Sequence, residues 1–515
     1  MPRLNRRKFL QLSAAGVGAA VLLSRGSAYA SPFGEFPTAA APKALPVERR
    51  AKRVLEVFLY GGLSPWESLY FVEDYGKPGD PLYDHQQFYT YESGPGGSFG
   101  MTPRQAMNRC GLPSSEPIGK PFATDALGKM VNLGPFASVL RDRTDLTDRM
   151  RILVTSHNLE PHEAAIPLAL TGKAVGSPTM AGLGTHIQRY LTETPDPARK
   201  SPYSYVFSTG GLPGDNVNAA FATGMHPGRA RPLRIKIDQA ARLTSLLGRP
   251  TLGSAEARQQ YDALVAAYSQ QYQERLKFPG RSDAARAARL ADLMQASTTV
   301  SHADAVAAVM EPRFFEPKSS TVCQDSNENI PLMSFQLAAH LLTHPTERAS
   351  YVCVVDTGLE EASGGGGYDT HTENSAVQAR NLRNCFQQLT AIINAPGEND
   401  PGKISLDDTL IILNTEFGRT PTSQDGSDGR NHHPYGYATA MIGGPITDKA
   451  VVGAIGPDGK ATTSVRPSEQ RIAALLALGI WPFSPEAFGV SDVEGASEEI
   501  AAVEKITKDI LGVTL

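Results

Sequence analysis

The sequence contains little cysteine. Its 515 residues include four cysteines, Cys110, Cys323, Cys353 and Cys385, and no two of them are spaced as Cys-x-x-Cys. This spacing excludes a cysteine zinc knuckle and a redox-active dithiol pair.

The chain also lacks an excess of charge of one sign and a membrane-length apolar run. Its 49 basic and 53 acidic residues leave a net charge of -4, so the composition does not indicate nucleic acid as a partner. The apolar run at residues 10–23 is shorter than the ~20 residues that a transmembrane helix needs. No later segment is a better candidate, and we expect no stable membrane anchor in the mature protein.

The first thirty residues have the pattern of an export signal. Arg6 and Arg7 precede Phe9 and Leu10, and an Ala/Gly-rich run leads to the small-x-small sequence at residues 28–30. Paired arginines in this position are typical of the twin-arginine route. We predict a signal peptide at residues 1–30, recognition by the twin-arginine export machinery, and a periplasmic or secreted protein. One disulfide could form after export, but a chain that folds in a reducing cytoplasm does not require it.

Short apolar and β-branched runs recur along the rest of the chain. They occupy residues 54–60, 151–156, 350–355 and 409–413 and alternate with helical patterns, which predicts an α/β fold with a mainly parallel sheet. Residues 31–52 are rich in Pro and Ala and read as a linker. We predict one domain over residues 53–515, with an irregular insertion at about 73–121 and a helical insertion at about 254–313.

Polar side chains follow each of the four apolar runs. The carboxyl ends of parallel strands meet at one edge of a sheet, where ligands bind, so we expect these side chains to converge. In each case the alternative is a solvated or hydrogen-bonded turn. The candidate site residues are Glu67, His162, Asp369, His371, Glu416, Arg419, His432 and His433.

The pair Asp369 and His371 is the best candidate for metal binding. A carboxylate and a neutral imidazole two residues apart on an extended or turn segment can point to the same side. This pair suits zinc or manganese, and calcium remains open because the set also contains carboxylates. His162 lies near a predicted helix N-terminus, a position suited to anions.

Several motifs together resemble one bacterial family. The segments GGLSPWE, SHNLEPHEAAIPLALTG, GGYDTH, TEFGRTP and GRNHHP, behind a twin-arginine signal, resemble the domain of unknown function 1501 family, which belongs with the alkaline-phosphatase-like superfamily. The resemblance covers nearly the whole mature chain. It implies a three-layer α/β/α sandwich, alkaline-phosphatase-like, with a metal site at the strand ends.

The resemblance also shows where this sequence departs from the superfamily pattern. Glu416 takes the place of a metal-binding Asp, Phe417 stands where a His is usual, and Asn431 stands where close relatives have Asp. Counting back from the Leu-Thr-Gly at residues 170–172 places His162 at the position of the nucleophile. The nearest hydroxyls, Ser64, Thr155 and Ser156, do not have the expected offset.

The resemblance implies a metal-dependent hydrolase of phosphate or sulfate esters that acts outside the cytoplasm. In this hypothesis a divalent metal is held by Asp369, His371 and either His432 or His433, and Arg419 grips the oxyanion. Glu67, Glu416 and His162 would hold a second cation or act as acid/base catalysts. The alternative is a non-catalytic, metal-binding envelope or binding protein on the same fold.

Overall fold

The computed structural model describes most of the predicted domain. It covers residues 33–75, 101–113, 115–177, 180–193, 204–208, 233–236, scattered positions between 254 and 310, and residues 311–359, 366–422, 424 and 428–515. The predicted signal peptide lies outside the described residues, as do residues 76–100 of the first predicted insertion and most of the second. In the described part of the chain, no helix has the length and apolar character required to cross a bilayer.

The described elements alternate between strands and helices for most of the chain. The strands are β1 Arg53–Leu59, β2 Lys120–Thr124, β3 Met130–Leu133, β4 Met150–Thr155, β5 Tyr205–Ser208, β6 Leu233–Lys236, β7 Ser319–Val322, β8 Asp325–Glu328, β9 Tyr351–Asp356, β10 Thr409–Asn414, β11 Gly418–Arg419, β12 His432–His433, β13 Tyr437–Gly443, β14 Ala450–Val452, β15 Ala454–Ile455 and β16 Ala461–Thr463. The α-helices are α1 Pro103–Arg109, α2 Ser138–Arg141, α3 Thr144–Thr147, α4 His162–Thr171, α5 Leu183–Glu193, α6 Ile330–Thr343, α7 Asn374–Ala391, α8 Pro467–Ala477 and α9 Glu499–Asp509.

Eight strands form the central sheet, in the order β14-β4-β13-β10-β1-β9-β5-β6. Neighbouring strands are parallel except at β13, which runs antiparallel to both β10 and β4. The mainly parallel α/β organisation predicted from the apolar runs is therefore confirmed. The sequence pattern did not single out β13, because its small residues carry a weak strand signal.

Strands β1, β4, β9, β10 and β13 are buried along their whole length. In β1, Leu55 and Val57 belong to the hydrophobic core that includes helices α6 and α7, whereas Val54 and Phe58 belong to the core that includes α4 and α8. Alternate residues of a strand point to opposite faces of its sheet. The continuous apolar runs in the sequence follow from this double burial.

The described part of the predicted linker packs onto the domain. The Ala51 amide donates to the carbonyl of Ala477 at 2.8 Å, the Trp481 amide donates to the carbonyl of Gly34 at 2.8 Å, and Leu45 is buried. Two short 3-10 turns, Ala41–Lys43 and Val47–Arg49, shape the segment. Residues 33–51 therefore form part of the packed structure, because Phe33, Ala40, Leu45 and Ala51 belong to the hydrophobic core that includes α8.

The cysteines divide into one bridge and two thiols. Cys110, at the end of α1, forms a disulfide with Cys323 in the β7–β8 turn. Cys353 and Cys385 are buried and free, and burial raises the pKa of each thiol well above its usual value. The two thiols are therefore protonated and unreactive.

Candidate metal centre

Asp369 is the centre of a buried cluster at the carboxyl ends of the strands. Its Oδ2 lies 3.4 Å from His162 Nε2, and its Oδ1 lies 3.0 Å from His371 Nε2 and 3.3 Å from His432 Nε2. Arg419 Nη2 contacts the same Oδ1. Three of the four segments that follow the predicted strands, those after β4, β9 and β10, thus supply one group of polar side chains.

Close packing of three loops creates this cluster. Gly61 has a φ of +108°, and a Cβ there would clash with the amide nitrogen of Asp369. Gly429 packs so closely against the carbonyl of His371 that it has no room for a Cβ either. The Arg430 amide donates to the carbonyl of Thr370 at 2.9 Å. Glycine at positions 61 and 429 is therefore required for the loops to approach each other.

Hydrogen bonds orient the rings of His162 and His432. His162 Nδ1 lies 2.9 Å from Glu416 Oε1, and His432 Nδ1 lies 2.9 Å from the carbonyl oxygen of Glu160. A carboxylate and a carbonyl only accept hydrogen bonds, so each Nδ1 carries the proton. In the neutral ring, the lone pair is then on Nε2, which faces Asp369.

His371 is oriented in the same way. Its Nδ1 lies 2.7 Å from Gln424 Oε1, and its Nε2 lies 3.2 Å from His432 Nε2. Donation from Nδ1 to the amide oxygen leaves the lone pair of His371 on Nε2 as well. A ring nitrogen held by an outer hydrogen bond is the usual arrangement of metal-binding histidines.

The charges in the cluster act strongly on His162. Burial alone would lower its pKa, but Asp369 and Glu416 outweigh burial and raise the pKa of His162 to about 9. Burial would raise the pKa of Asp369, but its histidine partners and Arg419 hold that pKa well below its usual range. The pKa of His432 is lowered, mainly by burial. The cluster therefore favours a positive charge between the carboxylates of Asp369 and Glu416. When no other cation is bound, a proton on His162 provides this charge.

Part of the cluster has the donor types and mutual distances of a possible metal site. The ligand atoms of His162, Asp369 and His432 lie within 4.8 Å of one another, and the buried His162 Nε2 has no hydrogen-bond partner among the described residues. Zinc bonds of about 2.0–2.1 Å separate two ligand nitrogens by about 3.3–3.4 Å in a tetrahedral site. The 3.2 Å between the Nε2 atoms of His371 and His432 is close to this value. Nitrogen-rich donors suit zinc, whereas calcium takes oxygen ligands.

Glu416 lies behind the cluster and not at its centre. Its Oε1 accepts hydrogen bonds from the Gly61 amide at 2.7 Å and from His162 Nδ1. His157 donates from Nε2 to the Glu416 carbonyl at 2.7 Å. The position predicted for a metal ligand is thus occupied by a carboxylate that supports His162.

Two other predicted metal ligands lie outside the cluster. His433 Nε2 donates to the carbonyl of Gly459 at 2.7 Å, because consecutive residues of β12 point to opposite sides and only His432 faces Asp369. Glu67 pairs with Arg430 and accepts a hydrogen bond from Ser64. Both predicted residues are therefore engaged in other buried contacts.

Arg419 is fully buried and faces protein oxygens. Its Nη1 donates to the carbonyl of Arg430 at 2.9 Å, and its Nη2 contacts Asp369 and the carbonyl of Gly61. None of its surface is exposed. This arrangement holds Asp369 in place and engages Nη1 and Nη2 with protein oxygens, so these two groups do not face the oxyanion predicted from the sequence.

One side of the cluster is apolar and the other opens to solvent. The ring of Phe417 stacks on His432 at 4.3 Å and lies 4.9 Å from the ring of His162. The side chains of His371 and His432 are 26% and 18% exposed, against 3% for Asp369. A ligand therefore reaches the cluster from the side of His371 and His432.

Sequence reasoning missed two supporting groups, the Gln424 side chain and the Glu160 carbonyl. Gln424 lies in a polar loop with no periodic pattern, and a backbone carbonyl has no sequence signal. Only the folded loops bring them within reach of His371 and His432. Metal-binding histidines usually donate their second ring N–H to a nearby acceptor, and this general rule is the one signal that points to such groups.

Comparison with known proteins gives one match. Residues 51–480 match the model of a family described as "Protein of unknown function (DUF1501)". No curated protein and no solved structure matches the chain. The matched range contains every residue of the cluster.

Proposed function

The chain belongs to the DUF1501 family, and we propose that it is an exported, metal-dependent hydrolase of phosphate or sulfate esters. The observation that supports the metal most directly is the shared orientation of three histidines. In His162, His371 and His432, Nδ1 is hydrogen bonded to a protein oxygen and Nε2 faces the carboxylate of Asp369. We propose zinc as the preferred ion, with manganese second.

The fold and location form part of the same proposal. An eight-stranded, mainly parallel sheet with helices packed on both faces and polar residues at the strand ends supports an alkaline-phosphatase-like sandwich. The Arg6-Arg7 pair supports twin-arginine export to the periplasm or the medium. Replacement of both arginines by lysine should retain the protein in the cytoplasm.

His162, Asp369, His371 and His432 would hold the metal in this proposal. A divalent cation supplies Lewis-acid activation of water and polarisation of the ester. Arg419 holds the Asp369 carboxylate, and the outer hydrogen bonds fix the histidine rings. The apolar ring of Phe417 excludes water from one side, so the ester approaches from the exposed side.

We propose direct attack by water and not a covalent serine intermediate. Ser64 Oγ donates to Glu67, and Ser156 Oγ is hydrogen bonded to Ser464 Oγ at 2.8 Å. These hydroxyls are engaged away from Asp369. The helix position of the superfamily nucleophile carries His162, whose ring orientation supports metal binding.

The test is an assay of aryl phosphates and aryl sulfates with zinc, manganese or calcium. We expect hydrolysis by the zinc-loaded protein, loss of activity in His432→Gln, and retention of most activity in Ser156→Ala. Activity that survives complete metal removal, or that is lost in Ser156→Ala with His432→Gln still active, would contradict the proposal. Stoichiometric zinc without hydrolysis of any ester would favour the non-catalytic metal-binding alternative.

A further inference from the structure

A cavity lies between helices α6 and α7, apart from the metal centre. It has a volume of about 510 Å³, within the range of small-molecule sites. Phe314, Phe335 and Ile392 form a largely buried apolar floor. Helix α7 begins at Asn374, just after His371, and Gln388 near the other end of the helix lines the cavity. The cavity therefore lies roughly 20 Å from the metal centre along the helix axis.

Basic side chains surround this apolar floor. Arg313, Lys318 and Lys403 line the cavity, and no acidic residue is among the described lining residues. Arg313 and Lys403 form ion pairs with glutamates that do not line the cavity. Lys318 donates to the neutral amide oxygen of Gln336, so its charge is not balanced by that partner. Among the described residues, Lys318 is therefore the cavity cation that has no acidic partner.

Two carbonyls at the end of α7 near the cavity are hydrogen bonded to Arg143. The C-terminal carbonyls of α7 would by themselves oppose a bound anion. Arg143 donates to the carbonyl of Thr390 at 3.0 Å and to that of Asn394 at 3.1 Å. These hydrogen bonds satisfy the carbonyls, but Asp145 pairs with the same guanidinium, so Arg143 contributes no net positive charge near the cavity.

We propose that this cavity binds an amphipathic organic anion, a carboxylate on an alkyl or aryl body. The apolar body would lie on Phe314, Phe335 and Ile392, and the carboxylate would face Lys318 and Lys403. A neutral apolar molecule would leave the charge of Lys318 without a counter-charge, and a cation would be repelled. This inference does not depend on the proposed hydrolase activity.

Decanoate is a suitable probe, measured by titration calorimetry with the full mature chain. We expect saturable binding of one decanoate per chain and weaker binding of decanol. Lys318→Gln should weaken decanoate binding about five- to tenfold, as loss of one charged contact does. Lys449→Gln is the matched control, because Lys449 is exposed, pairs with Asp148 and lies outside the cavity.

A second variant tests the apolar floor with little risk to folding. Leu332 lines the cavity and is only half-buried, so Leu332→Glu should fold, keep the unfolding profile of the wild type and lose decanoate binding. No saturable binding of decanoate by the wild type, equal affinity for decanol, or wild-type affinity in both Lys318→Gln and Leu332→Glu would overturn the proposal.

Discussion

Asp369→Asn is the sharpest test of the metal centre. The substitution keeps the size of the side chain and removes its charge. Asp369 is 2% exposed, contacts the buried guanidinium of Arg419 and faces the Nε2 atoms of His162 and His432. The variant therefore leaves one buried cation without its partner and removes the only carboxylate at the centre of the cluster.

The expected loss of unfolding free energy in Asp369→Asn has two parts. Removal of one partner from a buried ion pair costs about 3–5 kcal/mol, which is the loss of unfolding free energy that we expect for the metal-free variant. Zinc at a thousandfold excess over its dissociation constant stabilises a protein by about 4 kcal/mol, and the variant should lose this gain as well. With zinc present, the difference from the wild type is about 7–9 kcal/mol.

The assay is chemical denaturation of both proteins with chelator and with zinc, together with elemental analysis. The matched control is Asp448→Asn, an identical change in an Asp–Arg pair whose carboxylate is 58% exposed. This control should cost less than about 1 kcal/mol and retain zinc. Stoichiometric zinc in Asp369→Asn, or equal losses of stability in the two variants, would refute the assignment.

Three further predictions concern single side chains. Glu416→Gln should lower zinc affinity about 10–100-fold in chelator competition, because His162 loses its charged acceptor; unchanged affinity would contradict the supporting role. His432→Gln should lose zinc in elemental analysis, whereas His433→Gln should keep it, and the reverse result would exchange their roles. Burial and nearby cations lower the pKa of His186 to about 3. Because the unfolded chain takes up this proton below about pH 6.5, unfolding free energy should fall by about 1.4 kcal/mol per pH unit from there towards pH 3. His186→Gln should lack this part of the slope in denaturation series from pH 7 to pH 4, and an unchanged slope would contradict the pKa shift.

Local sequence pattern was sufficient for the core of the sheet. The runs that became β1, β4, β9 and β10 are short, apolar and bounded by turn residues, and that combination has few alternatives to a buried strand. The antiparallel strand β13 lies between β10 and β4, but its own residues give only a weak strand signal. Strand order depends on pairing between distant segments, which local pattern does not contain.

The candidate site, like the sheet, was predicted in part from the sequence and in part only by the tertiary structure. The sequence by itself determined that His162, Asp369, His371 and the His432-His433 pair follow strands and so belong at one edge. Only the tertiary structure decided which histidine of the pair faces Asp369. The phase of a two-residue strand is set by its pairing partner and cannot be read from the residues alone.

The tertiary structure also decided the roles of the charged side chains. Glu67, Glu416 and Arg419 have the chemistry of ligands or catalytic groups, and sequence assigned them such roles. Folding buried each of them beside a partner that satisfies it: Arg430 for Glu67, His162 for Glu416 and Asp369 for Arg419. A buried charge must be paired. Sequence identifies the charge, but the partner comes from a remote part of the chain and is known only once the loops have packed together.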